Sequence, residues 1–236
     1  MTIDARGPVV AWAAGGTVAV RRWNGAAWAQ LGSVVNEPAS VFRDPALAVT
    51  GEGRLVVAYT RQESGTMRVE AKAWNGSGWT QLGSGLPTPS RSPGVAGLDS
   101  GAPVAAYLGG ADSRVSLWNG SSWNPPSHPC PPPVMGSTLA PPSLAVDGNR
   151  IRVLCAIGET PFRRKLFARM FDPLFGWSQL GGVSINGPIR LAGPIHLAYV
   201  ARTAPGGRLW AAWAADSPDG SAIIVSTLEP IPLATP

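Results

Sequence analysis

The chain has 236 residues, a net charge of +5, and 44% hydrophobic against 14% charged residues. With 29 Gly and 24 Pro it is too rich in helix breakers for a helical bundle, and with ten Trp too apolar for a solvated coil. No run of about 18 apolar residues offers a membrane-spanning helix, and residues 1–7 lack the basic and apolar segments of a signal peptide.

Taken from the N-terminus, the chain repeats one grammar. An apolar run ending at Trp12 is followed by the phrase Trp23-Asn24-Gly25-Ala26-Ala27-Trp28, then Gln30-Leu31-Gly32. The second unit has two apolar runs, Pro45 to Val49 and Leu55 to Tyr59, separated by Gly51-Glu52-Gly53, and then Trp74 to Trp79 with Gln81-Leu82-Gly83. The third has Pro93 to Leu98, Pro103 to Tyr107 and Trp118 to Trp123. The fourth has Pro142 to Val146, Ile151 to Cys155 and a looser Phe171 to Trp177, then Gln179-Leu180-Gly181. The fifth has Pro188 to Ala192, Ile195 to Tyr199 and a hairpin from Trp213 to Ile224 that turns through Asp216-Ser217-Pro218-Asp219-Gly220.

Trp-Asn-Gly-x-x-Trp reads as a β-hairpin, Asn-Gly supplying the reversal and the two Trp packing across the strands. Each unit therefore predicts four short strands, A to D. The ends of the B strands, Trp12, Tyr59, Tyr107, Cys155 and Tyr199, recur at 47, 48, 48 and 44 residues, in the range of one propeller blade.

The first unit starts midway through its strand A, and Pro230 to Thr235 matches Pro188 to Gly193 at four of six positions. The expectation is an all-β, single-domain five-bladed β-propeller of four antiparallel strands per blade, closed by the C-terminal strand completing the first blade. The blades fall at about 1–32 with 230–236, 45–83, 93–124, 142–181 and 188–229.

In these residues the sequence resembles bacterial β-propellers built from Trp-Asn/Asp-Gly-x-x-Trp repeats. In blade number and length it is similar to the tachylectin-type five-bladed lectins. That resemblance implies sugar pockets between neighbouring blades and carries over no individual contact residue.

The A-B and C-D turns are uniformly tight, whereas the B-C loops and D-A crossovers are long and varied, so binding is expected on the long-loop face. Its polar residues include Asn36, Glu37, Glu63, Asp112 and Glu159, and the candidate ligand-binding residues are Arg43, Arg61, Arg91, His128, Arg163 and Arg202. The A strands, taken as Ala46 to Val49, Gly94 to Ala96, Ser143 to Val146 and Ile189 to Ala192, carry no acid. Asp4, Asp99 and Asp147 read as turn formers, and the aligned Tyr residues as packing positions. No catalytic residue, metal site or cofactor is expected.

The function expected is a non-catalytic recognition module that binds glycans or a partner surface. The alternative is a structural propeller docking on a larger assembly, and a propeller glycoside hydrolase stays open. The 17 Arg and 2 Lys are scattered, which argues against a nucleic-acid partner. An extracellular or cell-surface location is favoured, and whether Cys130 and Cys155 are bridged is open.

Overall fold

The computed structural model describes residues 1–37, 40–131, 138–160, 163–179, 190–191, 196–200, 208–217 and 220–228. Among these, regular structure is entirely β, in five antiparallel sheets. The expected closing segment, 230–235, lies outside the described residues.

The first sheet runs in chain order through β1 (Thr2–Asp4), β2 (Gly7–Ala14), β3 (Thr17–Trp23) and β4 (Trp28–Asn36). The second does the same through β5 (Val41–Val49), β6 (Leu55–Glu63), β7 (Thr66–Trp74) and β8 (Trp79–Gln81). The third contains β9 (Arg91–Gly97), β10 (Pro103–Gly109) and β11 (Asp112–Leu117). Isolated bridges Trp118↔Trp123 and Val115↔Ser127 stand where its fourth strand was expected.

The chain divides into two compact units, residues 1–110 with 114–128, and residues 111–113 with 129–236. In the second unit, β12 (Thr138–Leu139), β13 (Ser143–Asp147), β14 (Arg150–Thr160), β15 (Arg163–Asp172) and β16 (Gly176–Gln179) form one sheet. The other holds β17 (Arg190–Leu191), β18 (His196–Val200), β19 (Arg208–Ser217) and β20 (Gly220–Leu228). Here β17 pairs with β19 at Asp216 and Ala215, not with β18 as the A-to-B grammar predicts. Cys155, fully buried, is bridged to Cys130 across a sequence separation of 25.

In the first unit β6 explains the unbroken run Leu55 to Tyr59. Leu55, Val57 and Tyr59 enter a cluster with Val9, Val18, Val20 and Leu31 of the first sheet. Val56 and Ala58 enter another with Val95, Ala105 and Tyr107 of the third. A strand buried on both faces has no polar side, so its hydrophobicity does not alternate.

The Trp pairs face each other across the hairpins, with ring centroids 5.7 Å (Trp23–Trp28), 5.3 Å (Trp74–Trp79), 5.6 Å (Trp118–Trp123) and 5.4 Å (Phe171–Trp177) apart. The turn itself differs from a two-residue reversal. Only Gly takes positive φ, at 98°, 102° and 101° for Gly25, Gly76 and Gly120. Asn acts as an acceptor instead: Asn24 Oδ1 takes the N–H groups of Ala26 and Ala27, and Asn75 and Asn119 repeat this.

The second Trp of a hairpin then reaches the preceding sheet. Trp79 Nε1 donates to the Leu31 carbonyl at 2.6 Å, and Trp123 Nε1 to the Leu82 carbonyl at 3.0 Å. Gly32 and Gly83 follow those carbonyls with φ of 60° and 66°, and a Cβ there would sit 3.4 and 3.1 Å from the rings of Trp74 and Trp118. The Gln-Leu-Gly phrase is thus the receptor for the next hairpin. Trp79→Phe keeps an aromatic ring but removes the N–H and leaves the Leu31 carbonyl unpaired, and should cost about 1–3 kcal/mol in urea unfolding. A variant as stable as the parent would contradict the latch.

Candidate active site

At the end of the strands where β6 turns into β7, Ser64 and Gly65 make the reversal, with φ of 48° and 80°. Glu63 therefore faces Thr66, Arg61 faces Arg68 and Tyr59 faces Glu70. Because side chains alternate, Tyr59, Arg61, Arg68 and Glu70 share the face of the second sheet that packs on the first. Lys72 is on the same face and donates to the Val34 carbonyl of β4 at 2.6 Å. Burial lowers its pKa from the ordinary value.

Three carboxylates converge on Arg61. Its Nη2 lies 2.7 Å from Glu37 Oε2 and 3.4 Å from Glu63 Oε2, and its Nη1 lies 3.6 Å from Glu70 Oε1. Glu37 comes from the crossover after β4 and also accepts from Ser40 Oγ at 3.2 Å. Glu70 accepts from the Tyr59 hydroxyl at 3.1 Å. The Glu70 side chain is 13% exposed, against 44% for Glu37 and 66% for Glu63, so it is the most buried of the three carboxylates.

Sharing one guanidinium limits the separation of Glu37 Oε2 and Glu70 Oε1 to at most about 9 Å, no wider than the widest spacing of paired carboxylates on glycosidic bonds. Arg61, Glu63, Arg68 and Glu70 line a cleft of about 260 Å³ that opens beside them.

The strand read from sequence as Ala46 to Val49, free of acids, extends further back in the structure and takes in an acid. β5 begins at Val41, four residues before the proline taken as its start, and so includes Asp44. Asp44 and Ser92 each precede a proline and have φ of 52° and 51°, an uncommon conformation for non-glycine residues. They meet through Ser92 Oγ donating to Asp44 Oδ2 at 3.0 Å, while Ser92 N donates to Thr60 Oγ1 at 2.9 Å.

Of the arginines singled out from sequence, Arg61 enters the cluster, with Glu37 and Glu63 from the same loop face. Arg43 is exposed in β5 opposite Thr60, and Arg91 is exposed in β9 opposite Leu108. His128 is exposed at the end of the first unit. Arg163 lies in β15 opposite Thr160, with its side chain outside the described residues, as is all of Arg202. Glu70 was missed, although the Ser64-Gly65 turn counts it directly opposite Tyr59.

No family model matches the chain, and no curated protein matches it. Solved structures share its architecture. A polysaccharide lyase described as a PL25 ulvan lyase has a TM-score of 0.64 at 13% identity, covering 97% of this chain and 63% of that one. The endo-arabinase of Bacteroides thetaiotaomicron has 0.54 at 13% identity, covering 94% and 88%. The Bacteroides ovatus xyloglucan PUL GH43B protein has 0.55 at 12% identity, covering 95% and 52%. The chain spans about half the length of two GH43 structures and 66% of a Dyadobacter fermentans protein of unknown function.

At these identities the likeness carries the fold, which is of the propeller type. The expectation of a non-catalytic glycan-binding or docking module is overturned by structures that share this architecture and are described as GH43 proteins, an endo-arabinase and a polysaccharide lyase. None of these is named as a lectin or a scaffold.

Burial, then the adjacent Glu70 carboxylate, pushes the Tyr59 phenol far above its ordinary value of 10.0. The unfolded chain loses this proton near pH 10 while the folded chain keeps it, so stability falls as pH climbs past about 10. Denaturant unfolding from about pH 8 to about pH 11 should show that fall, and Tyr59→Phe should flatten it. Identical slopes would contradict this account of Tyr59.

Proposed function

We propose that this chain is a carbohydrate-active enzyme that cleaves glycosidic bonds, with Glu37 and Glu70 as its carboxyl pair. The observation that carries the reading is their convergence, from a crossover and a hairpin, on one guanidinium beside an open cleft. The enzymes that share the fold support the choice of substrate class.

In the reaction, Glu37 gives a proton to the glycosidic oxygen as the bond to the anomeric carbon breaks. Glu70, oriented by Tyr59 and Arg61, attacks that carbon or takes a proton from the water that does. Arg61 sets the spacing of the two groups, and Glu63, the most exposed of the three acids, lies at the mouth. Glu70→Gln keeps an acceptor for Tyr59 and removes the base, so release of reducing ends from a polysaccharide panel should fall about a hundred- to ten-thousand-fold. Full turnover in that variant, or no cleavage of any polymer by the parent, would overturn the reading.

The five sheets are proposed to be blades of one ring, 1–236, with 230–235 completing the first blade beside β1. The support is the match of Pro230 to Thr235 with Pro188 to Gly193. Truncation after Leu228 should lower the melting temperature by several degrees, since an unpaired inner edge is exposed. An unchanged melt would contradict closure.

A further inference from the structure

The opposite end of the same strands, where the turns are tight, carries a second polar cleft of about 360 Å³ between the first and second sheets. Its walls include Asp4 and Arg6 of the β1–β2 turn, Arg22 at the end of β3, Glu52 and Arg54 of the β5–β6 turn, and Trp74 at the end of β7. Sequence reasoning passed this face over because its loops are short and alike.

The charges there are not balanced by one another. Arg22 Nη2 is ion-paired with Asp4 Oδ2, and Asp4 Oδ1 accepts from the Arg6 backbone N–H at 2.9 Å. The side chains of Asp4 and Arg22 are only 5% and 12% exposed, so this pair is a fixed wall. Arg6 and Arg54 then remain against the single carboxylate of Glu52. The Nε atoms of both Arg22 and Arg54 are buried without a hydrogen-bond partner among the described residues. Those two atoms are shut off from the cleft itself, so the positive charge left to meet an acceptor there is that of Arg6 and Arg54.

We infer that this cleft binds an acidic saccharide, with its carboxylate or sulfate oxygens on the guanidinium groups of Arg6 and Arg54 and with Trp74 in the wall beside them. Guanidinium donors suit such oxyanions because they are charged and planar, and an indole supplies an apolar wall beside polar groups. The anion half of the inference rests on the arginines alone; the saccharide half rests on the proposed carbohydrate activity. The cleft would then hold a stretch of acidic polysaccharide at a site separate from the Glu37 and Glu70 pair.

The test is calorimetric titration of the whole protein with oligogalacturonate, a sulfated oligosaccharide and a neutral oligosaccharide of equal length. At least one acidic ligand should bind, with the neutral one weaker by about tenfold or more. Arg54→Gln should lose about tenfold for the acidic ligand. Arg54 has no ion-pair partner among the described residues, so its replacement leaves the Asp4–Arg22 wall intact. Equal affinity for neutral and acidic ligands, an unchanged Arg54→Gln, or no binding by either acidic ligand would overturn the inference. Failure of the cleavage reading is distinguishable: a protein that cuts no polymer yet loses acidic-oligosaccharide binding in Arg54→Gln would keep this site and lose the other.

Discussion

The indole N–H of one hairpin, donated to a leucine carbonyl of the sheet before it, is the contact on which the first unit depends. Trp79 to Leu31 and Trp123 to Leu82 join residues 48 and 41 positions apart, so each fixes one whole sheet against another. The neighbouring glycine is part of the same device. At Gly32 and Gly83 the chain must take positive φ and admit a Trp ring, and a side chain would have to share that space.

With sheets held at this distance, β6 is enclosed on both faces and its middle must be apolar. Chemistry is left to the strand ends, where each inter-sheet gap opens. At the β6–β7 turn, the gap gathers Glu37, Arg61, Glu63 and Glu70. At the β5–β6 turn, it gathers Asp4, Arg22, Arg54 and Trp74. The core between the two ends is the same cluster of Val, Leu and Tyr side chains, so the rigid packing that makes the scaffold also sets the positions of both polar groups.

The repeat was legible because Trp-Asn-Gly and the B-strand ends recur in the chain itself. Its meaning was not, since the partners of Leu31 and Leu82 are Trp residues one repeat later and no local pattern names them. Pro45 looked like the start of an inner strand, because proline lacks a ladder donor. At a sheet edge that loss is tolerated, and β5 runs back through Asp44 to Val41. The same shift hid an acid. Arg61 was found from its loop, whereas Glu70 sat in an apparently ordinary strand. Only the register set by Ser64-Gly65 places it against Tyr59.

The crystal structure of the Glu70→Gln variant with a bound oligosaccharide bears most directly on whether the Arg61 cluster is a site of bond cleavage. The expected result is a glycosidic oxygen within hydrogen-bonding distance of Glu37, with the anomeric carbon facing residue 70 and Tyr59 still donating to it. A sugar bound elsewhere with the cluster closed as a purely structural ion pair, or Glu37 and residue 70 separated by more than about 10 Å, would contradict it.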